Sequence, residues 1–250
     1  MSGHSKWAQI KRAKGAADAK RGQVFTKLGR EIAVAAREAG PNPDMNPRLR
    51  LAVDRARAAN MPLDTIDRAI KRAVGAGEGA SLEQVIYEGY GPGGAAILVE
   101  ALTDNRNRAV AEVRNAFTRG GGSLGEAGCV AWLFDQRGLL TVDADGKDPE
   151  ELELLAIEAG ADDIRTDGDL VEVYTVPTDL ESVRTALVGG GATVSAAEMA
   201  LVPKTSIELS PKDAASTMRL MERLEDLDDV QKVSTNLEIS EAALAEYAER

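Results

Sequence analysis

Residues 139–201 read LLTVDADGKDPEELELLAIEAGADDIRTDGDLVEVYTVPTDLESVRTALVGGGATVSAAEMAL. The apolar run Leu139–Val142 predicts a strand, and Asp148 opens a helix over Pro149–Ala159. Asp163–Arg165 and Val171–Val176 follow as two strands joined by the turn residues Asp167 and Gly168. Leu180–Val188 then has helical spacing, and Thr193–Leu201 holds a final strand. The order is β-α-β-β-α-β, the ferredoxin-like order, complete within these residues.

The flanking segments complete each other across this unit. Val85–Tyr90 and Ala95–Leu102 read as strands around the loop Gly91-Pro-Gly-Gly. Residues 105–119 form a helix with Val110, Val113 and Phe117 as its apolar stripe. Gly120-Gly-Gly ends it, and Val130–Phe134 reads as another strand. After residue 202 come a short strand at Ser206–Leu209, a helix over Lys212–Glu225 and a strand near Val230–Ser234. The predicted organisation is therefore an acidic ferredoxin-like domain, 138–202, inserted into a discontinuous α+β domain, 79–137 and 203–250.

Upstream lies a helical bundle. Phe25, Leu28, Ile32 and Ala35 or Ala36 recur at helical spacing, predicting a helix over 23–38. Asn46-Pro47 supplies an N-cap and a first-turn proline for a second helix through about Ala59. Met61-Pro62 separates a third, with Ile66, Ile70, Ala73 and Val74 inward and Gly75 as C-cap. With the segment before it this makes a first domain, 1–78. The fold class is α+β multidomain.

The chain has 250 residues and a formal net charge of −11, yet the charge is segregated. Residues 1–74 carry 16 basic and 7 acidic side chains, net +9, and residues 75–250 carry 14 and 34, net −20. Such asymmetry predicts one end that faces a polyanion and another that stays solvated. The single cysteine, Cys129, excludes an intrachain disulfide and fits a reducing compartment. No apolar run approaches the roughly 18 residues of a membrane span, and the N-terminus lacks a signal-peptide core, so a cytoplasmic location is expected and no membrane partner.

The residues argue against an enzyme. One His and one Cys cannot make a metal cluster, and His4 lies in a segment too poor in apolar residues to hold catalytic geometry. No Walker-type sequence occurs. Gly89-Tyr-Gly-Pro-Gly-Gly94 and Gly120-Gly-Gly-Ser-Leu-Gly125 imitate a dinucleotide fingerprint, but neither leads from a strand into a helix. They read as turns placed at one end of their domain, where another backbone can approach closely. No cofactor, metal or small-molecule substrate is expected.

Nucleic acid is the expected partner. Residues 1–30 contain Lys6, Lys11, Arg12, Lys14, Lys20, Arg21, Lys27 and Arg30 against one acid, Asp18. On a helical wheel Lys6, Lys11, Lys14 and Arg21 share a broad side with Trp7, which places Trp7 poorly for a core and well for stacking on an exposed base. Within residues 5–20 the only large apolar residues are Trp7 and Ile10, so that stretch is expected to be a mobile arm. Arg106 and Arg108 open the 105–119 helix, where a phosphate or partner contact and salt bridges to nearby acids weigh equally.

Ser2-Gly-His-Ser-Lys-Trp7, Tyr87-Glu-Gly-Tyr-Gly-Pro-Gly-Gly94, Thr103-Asp-Asn-Arg-Asn-Arg108 and Gly121-Gly-Ser-Leu-Gly125, in this order, resemble the YebC family along essentially the whole chain. The resemblance implies three domains and no catalytic residues. It implies either a DNA-binding transcriptional regulator or a translational activator acting on the ribosome or on ribosomal or messenger RNA, including synthesis through proline runs. A scaffold whose acidic domains recruit proteins is the reading from another class. No helix-turn-helix with a recognition helix is evident in the sequence.

Overall fold

The computed structural model describes residues 7, 18–75, 82–145 and 147–249. Helix α1 runs Asp18–Ala39, α2 Pro47–Ala58 and α3 Leu63–Val74. Strand β1 is Glu83–Tyr90, β2 Ala96–Thr103, α4 Arg106–Arg119, and β3 the short Ser123–Leu124. Strand β4 is Phe134–Asp143, α5 Pro149–Glu158, β5 Asp163–Asp167, β6 Leu170–Thr175, α6 Leu180–Gly189 and β7 Thr193–Pro203. Helix α7 is Pro211–Glu225, β8 Val230–Thr235 and α8 Glu241–Ala248. The chain is mixed α and β, with N-terminal helices and two four-stranded antiparallel sheets.

The described chain divides into two compact units, Leu133–Lys204 and the remainder. In the first, the strands lie in the order β5-β6-β4-β7, and α5 and α6 pack on the sheet and on each other. Asp148 caps α5 by accepting from the Glu150 amide, as its position before the helix predicts. Leu140, Val142, Leu152, Ala156, Val171, Val173, Val183 and Leu187 are fully buried.

In the second unit the sheet order is β3-β1-β2-β8. Tyr87, Ile97, Val99, Ala101 and Val233 meet Val113 and Phe117 of α4 and Met218, Met221 and Leu224 of α7 in one apolar core. The bundle has its own core of Leu28, Ile32, Ala35 and Ala36 with Leu49, Ala52, Val53 and Ala56, closed by Met61, Ile66 and Ala73. Asn46 joins its helices. Its carboxamide oxygen accepts from the Leu49 amide at 3.0 Å, and its nitrogen donates to the Ala35 and Gly40 carbonyls that end α1.

The two glycine loops meet, as the turn reading requires. A Cβ on Gly122 would stand 2.5 Å from the Tyr90 carbonyl oxygen, and one on Gly89 would stand 2.5 Å from that of Ser123. Both positions therefore exclude any side chain.

The Val130–Phe134 strand does not form. Ala131–Leu133 makes a 3-10 turn, and the strand begins at Phe134. The buried Glu88 carboxylate on β1 takes the amides of Gly128 (2.6 Å), Val130 (2.8 Å) and Ala131 (2.7 Å), so these groups cannot join a ladder. The predicted Ser206–Leu209 strand reduces to one parallel bridge, Ile207 to Leu237. Helix α8, by contrast, extends the fold beyond the predicted elements.

Burial pushes the Glu88 carboxyl toward a higher pKa, but the three amide hydrogen bonds outweigh it and leave the value below the ordinary carboxylate range. Such a group stabilises the fold fully above its unfolded pKa, about 4.3, and the stabilisation is lost as pH falls through the folded value. Glu88→Gln is therefore expected to cost about 1–3 kcal/mol at pH 7, shrinking as the pH drops below 4. Urea unfolding at both pH values checks this. An equal penalty at both would contradict the charge-based account.

Candidate nucleic-acid interface

The expected cations of residues 1–30 divide into three groups. Lys6, Lys11, Arg12 and Lys14 lie outside the described residues, and Lys20 belongs to the first turn of α1. Arg21 is exposed one residue further on. Lys27 and Arg30 are turned inward, against the expectation of free arm cations. Lys27 Nζ donates to the carbonyl of Glu225, the last residue of α7. Arg30 Nη1 donates to the Asp228 carbonyl at 2.6 Å and pairs with Asp229 Oδ1 at 2.7 Å. A cation there satisfies carbonyls that α7 leaves unpaired and complements the negative end of its dipole.

Trp7 corrects the sequence reading most sharply. It is 2 % exposed and belongs to the core of the α+β part. Its indole Nε1 donates to Glu225 Oε1 at 3.0 Å, and its ring meets Tyr247 of α8 edge-on, centroids 5.8 Å apart. The Tyr247 hydroxyl donates to Glu222 at 2.8 Å, and Arg219 lies over the Tyr247 ring. An indole enclosed by α7 and α8 offers no face to a base. The helical wheel misplaced Trp7 because its partners lie more than 200 residues away.

Arg106 and Arg108 both form salt bridges. Arg106 Nε lies 3.2 Å from Glu83, with both side chains largely exposed. Arg108 Nη2 contacts Asp104 and Asp229, each at 2.8 Å. Asn105 caps α4 by accepting from the Arg108 amide. Asp229 also accepts from the buried Thr103 hydroxyl at 2.8 Å. Burial raises the Asp229 carboxyl, but the hydrogen bonds from Arg108 and Thr103 and the charges of Arg30 and Arg108 hold it below its ordinary value.

Two other cations, Arg68 and Arg72, are exposed beside a cleft. Between α1 and α3 lies a cleft of about 460 Å³ lined by Phe25, Thr26, Gly29, Arg30, Ala33, Met61, Thr65, Arg68, Ala69, Arg72 and Leu82. Among the described residues three guanidiniums and no carboxylate line it, in a chain of net charge −11. Arg68 is steadied by donating to the Asp64 carbonyl and the Thr65 hydroxyl. Phe25, Gly29 and Ala33 recur every four residues on α1, as do Thr65 and Ala69 on α3, so small side chains on facing helices leave the gap. That spacing is visible in the sequence; which helix faces which is not.

The family model for the TACO1/YebC N-terminal domain matches residues 5–76, and the model for the second and third domains matches residues 82–237. The chain belongs to the TACO1/YebC family. Its relatives include a Chloroflexus aggregans protein, 55 % identical and covered for 96 % of each chain, and one from Herpetosiphon aurantiacus, 53 % identical over the whole of both. Both are named probable transcriptional regulatory proteins. The crystal structure of a conserved hypothetical protein from Aquifex aeolicus is also similar, with TM-score 0.83 and 47 % identity, covering 90 % of this chain and 93 % of that one. No helix among the described residues is long and apolar enough to cross a membrane.

If Trp7 is an anchor, Trp7→Ala should lower unfolding stability by about 3–5 kcal/mol. Denaturant titration measures this. An unchanged midpoint would contradict the packed role.

Proposed function

We propose that this protein is a non-enzymatic, nucleic-acid-binding regulator of gene expression that works in the cytoplasm and grips its target through the basic N-terminal region. The observation that carries the reading is the concentration of cations in residues 1–74, net +9 in an acidic chain, together with the arginine-lined cleft. The naming of the relatives as transcriptional regulators supports it. The division of labour is as follows. Lys27, Arg30 and Trp7 seat the N-terminal region on the α+β part, and Lys6, Lys11, Arg12, Lys14, Lys20 and Arg21 engage phosphates. The inserted unit, which we read as ferredoxin-like from its β-α-β-β-α-β order, carries three basic and fifteen acidic residues over 138–202 and stays off the nucleic acid.

RNA binding in translation is the second reading. It is favoured by the arginine cleft, which is a concavity between two helices rather than a projecting recognition helix. DNA and RNA targets share the electrostatic mechanism and are separated by competition between duplex DNA and single-stranded RNA of the same sequence.

If about six N-terminal cations contact phosphates, log affinity should fall with log salt at a slope of about −4 to −5. Fluorescence anisotropy over a salt series measures it. A slope near zero would remove the electrostatic mechanism.

A further inference from the structure

The cleft between α1 and α3 combines two features that a surface of solvated arginines does not need. Phe25, Ala33, Met61, Ala69 and Leu82 give it an apolar lining, and Arg68 and Arg72 add positive charge. Its volume of about 460 Å³ lies within the about 300–1,000 Å³ typical of small-ligand sites.

Gly29 supplies an independent pointer. It lies in the interior of α1, where glycine costs roughly 0.5–1 kcal/mol relative to alanine. Its backbone is not in the left-handed region, and the nearest atom to an added Cβ is the Met61 methyl at 4.0 Å. Neither turn geometry nor close packing therefore requires glycine here. What its missing side chain does is leave the cleft open.

From this we infer that the cleft receives one unpaired nucleotide of a single-stranded nucleic acid. The base lies on the apolar lining beside Phe25 and Met61, and the adjoining phosphate is held by Arg68 and Arg72. Both arginines are exposed, so they reach a phosphate without desolvating a buried charge. Arg30 is committed to Asp229 and serves as a wall of the cleft. A stacked duplex keeps its bases inside and cannot deliver one without flipping it, which costs a few kcal/mol. The site consequently selects single strands over duplexes. This inference rests on the nucleic-acid reading above and narrows it to a ligand class.

The test uses the full chain and a labelled RNA of about a dozen nucleotides, within the usual reach of a single-strand site. Three probes are compared at fixed salt: the strand, the same backbone with abasic sugars, and the corresponding duplex. Gly29→Leu fills the cleft and improves helix propensity, so its unfolding midpoint should hold or rise. It is expected to weaken the intact strand about tenfold and to leave the abasic strand unchanged. Arg72→Gln, on an exposed side chain, should weaken both strands and keeps the test open should Gly29→Leu misfold.

Equal binding of intact and abasic strands by the parent, or equal strand binding by parent and Gly29→Leu, would overturn the inference while leaving the regulator reading standing. Loss of an acidic amphipathic peptide, but not of the strand, on Gly29→Leu would give the cleft to a protein partner and equally overturn it. Failure of the parent to bind any of the three nucleic acids would defeat the underlying reading itself.

Discussion

Asp229 is a carboxylate only 3 % exposed, and burying it is tolerable only because cations and a hydroxyl converge on it. Arg108 and Thr103 come from the same α+β part, while Arg30 comes from the helical bundle. The charge on one side chain therefore fixes how two parts of one compact unit meet. Around it the inward face of α1 is consistently used. Gln23 reaches the Asp226 carbonyl and the Asp228 carboxylate, Lys27 the Glu225 carbonyl, and Arg30 the Asp228 carbonyl. These positions are three or four residues apart, so one stripe of the helix covers the C-terminal end of α7.

This arrangement changes how the basic N-terminal region is understood. Cations that look alike in the sequence have two different jobs. Lys27 and Arg30 hold the bundle against the end of α7 and the acidic loop after it, and Trp7 closes the α7–α8 layer from the other end of the chain. Arg68 and Arg72, on a helix facing α1, are left to present charge beside an apolar cleft. In an acidic protein such separation matters, because a cation that is neutralised internally no longer attracts a polyanion.

Features governed by short-range rules were readable. Asn46 and Asp148 cap the helices they precede, and the β-α-β-β-α-β order between residues 139 and 201 is present with its strands in one sheet. The failures share a cause in long-range contacts. Trp7 looked solvent-facing among lysines because its burial depends on Glu225 and Tyr247. Val130–Phe134 looked like a strand because nothing local reveals that Glu88, about 40 residues earlier, captures its amides. Helix α8 forms over only eight residues and docks through Ala243 and Tyr247, a contact that periodicity alone does not supply. The Arg108 pairing with Asp229 likewise spans more than 100 residues.

The central claim is that the N-terminal helix is fastened to the α+β part as one cooperative body rather than carried as a loose arm. Native-state hydrogen exchange of the α1 amides tests this most directly. The account predicts that amides around Leu28 and Ile32 open only with the same free energy as those of α7 and β8, in a single global unfolding event. Opening of α1 at a free energy several kcal/mol below that of α7 would contradict it and return the N-terminal region to the status of a mobile appendage.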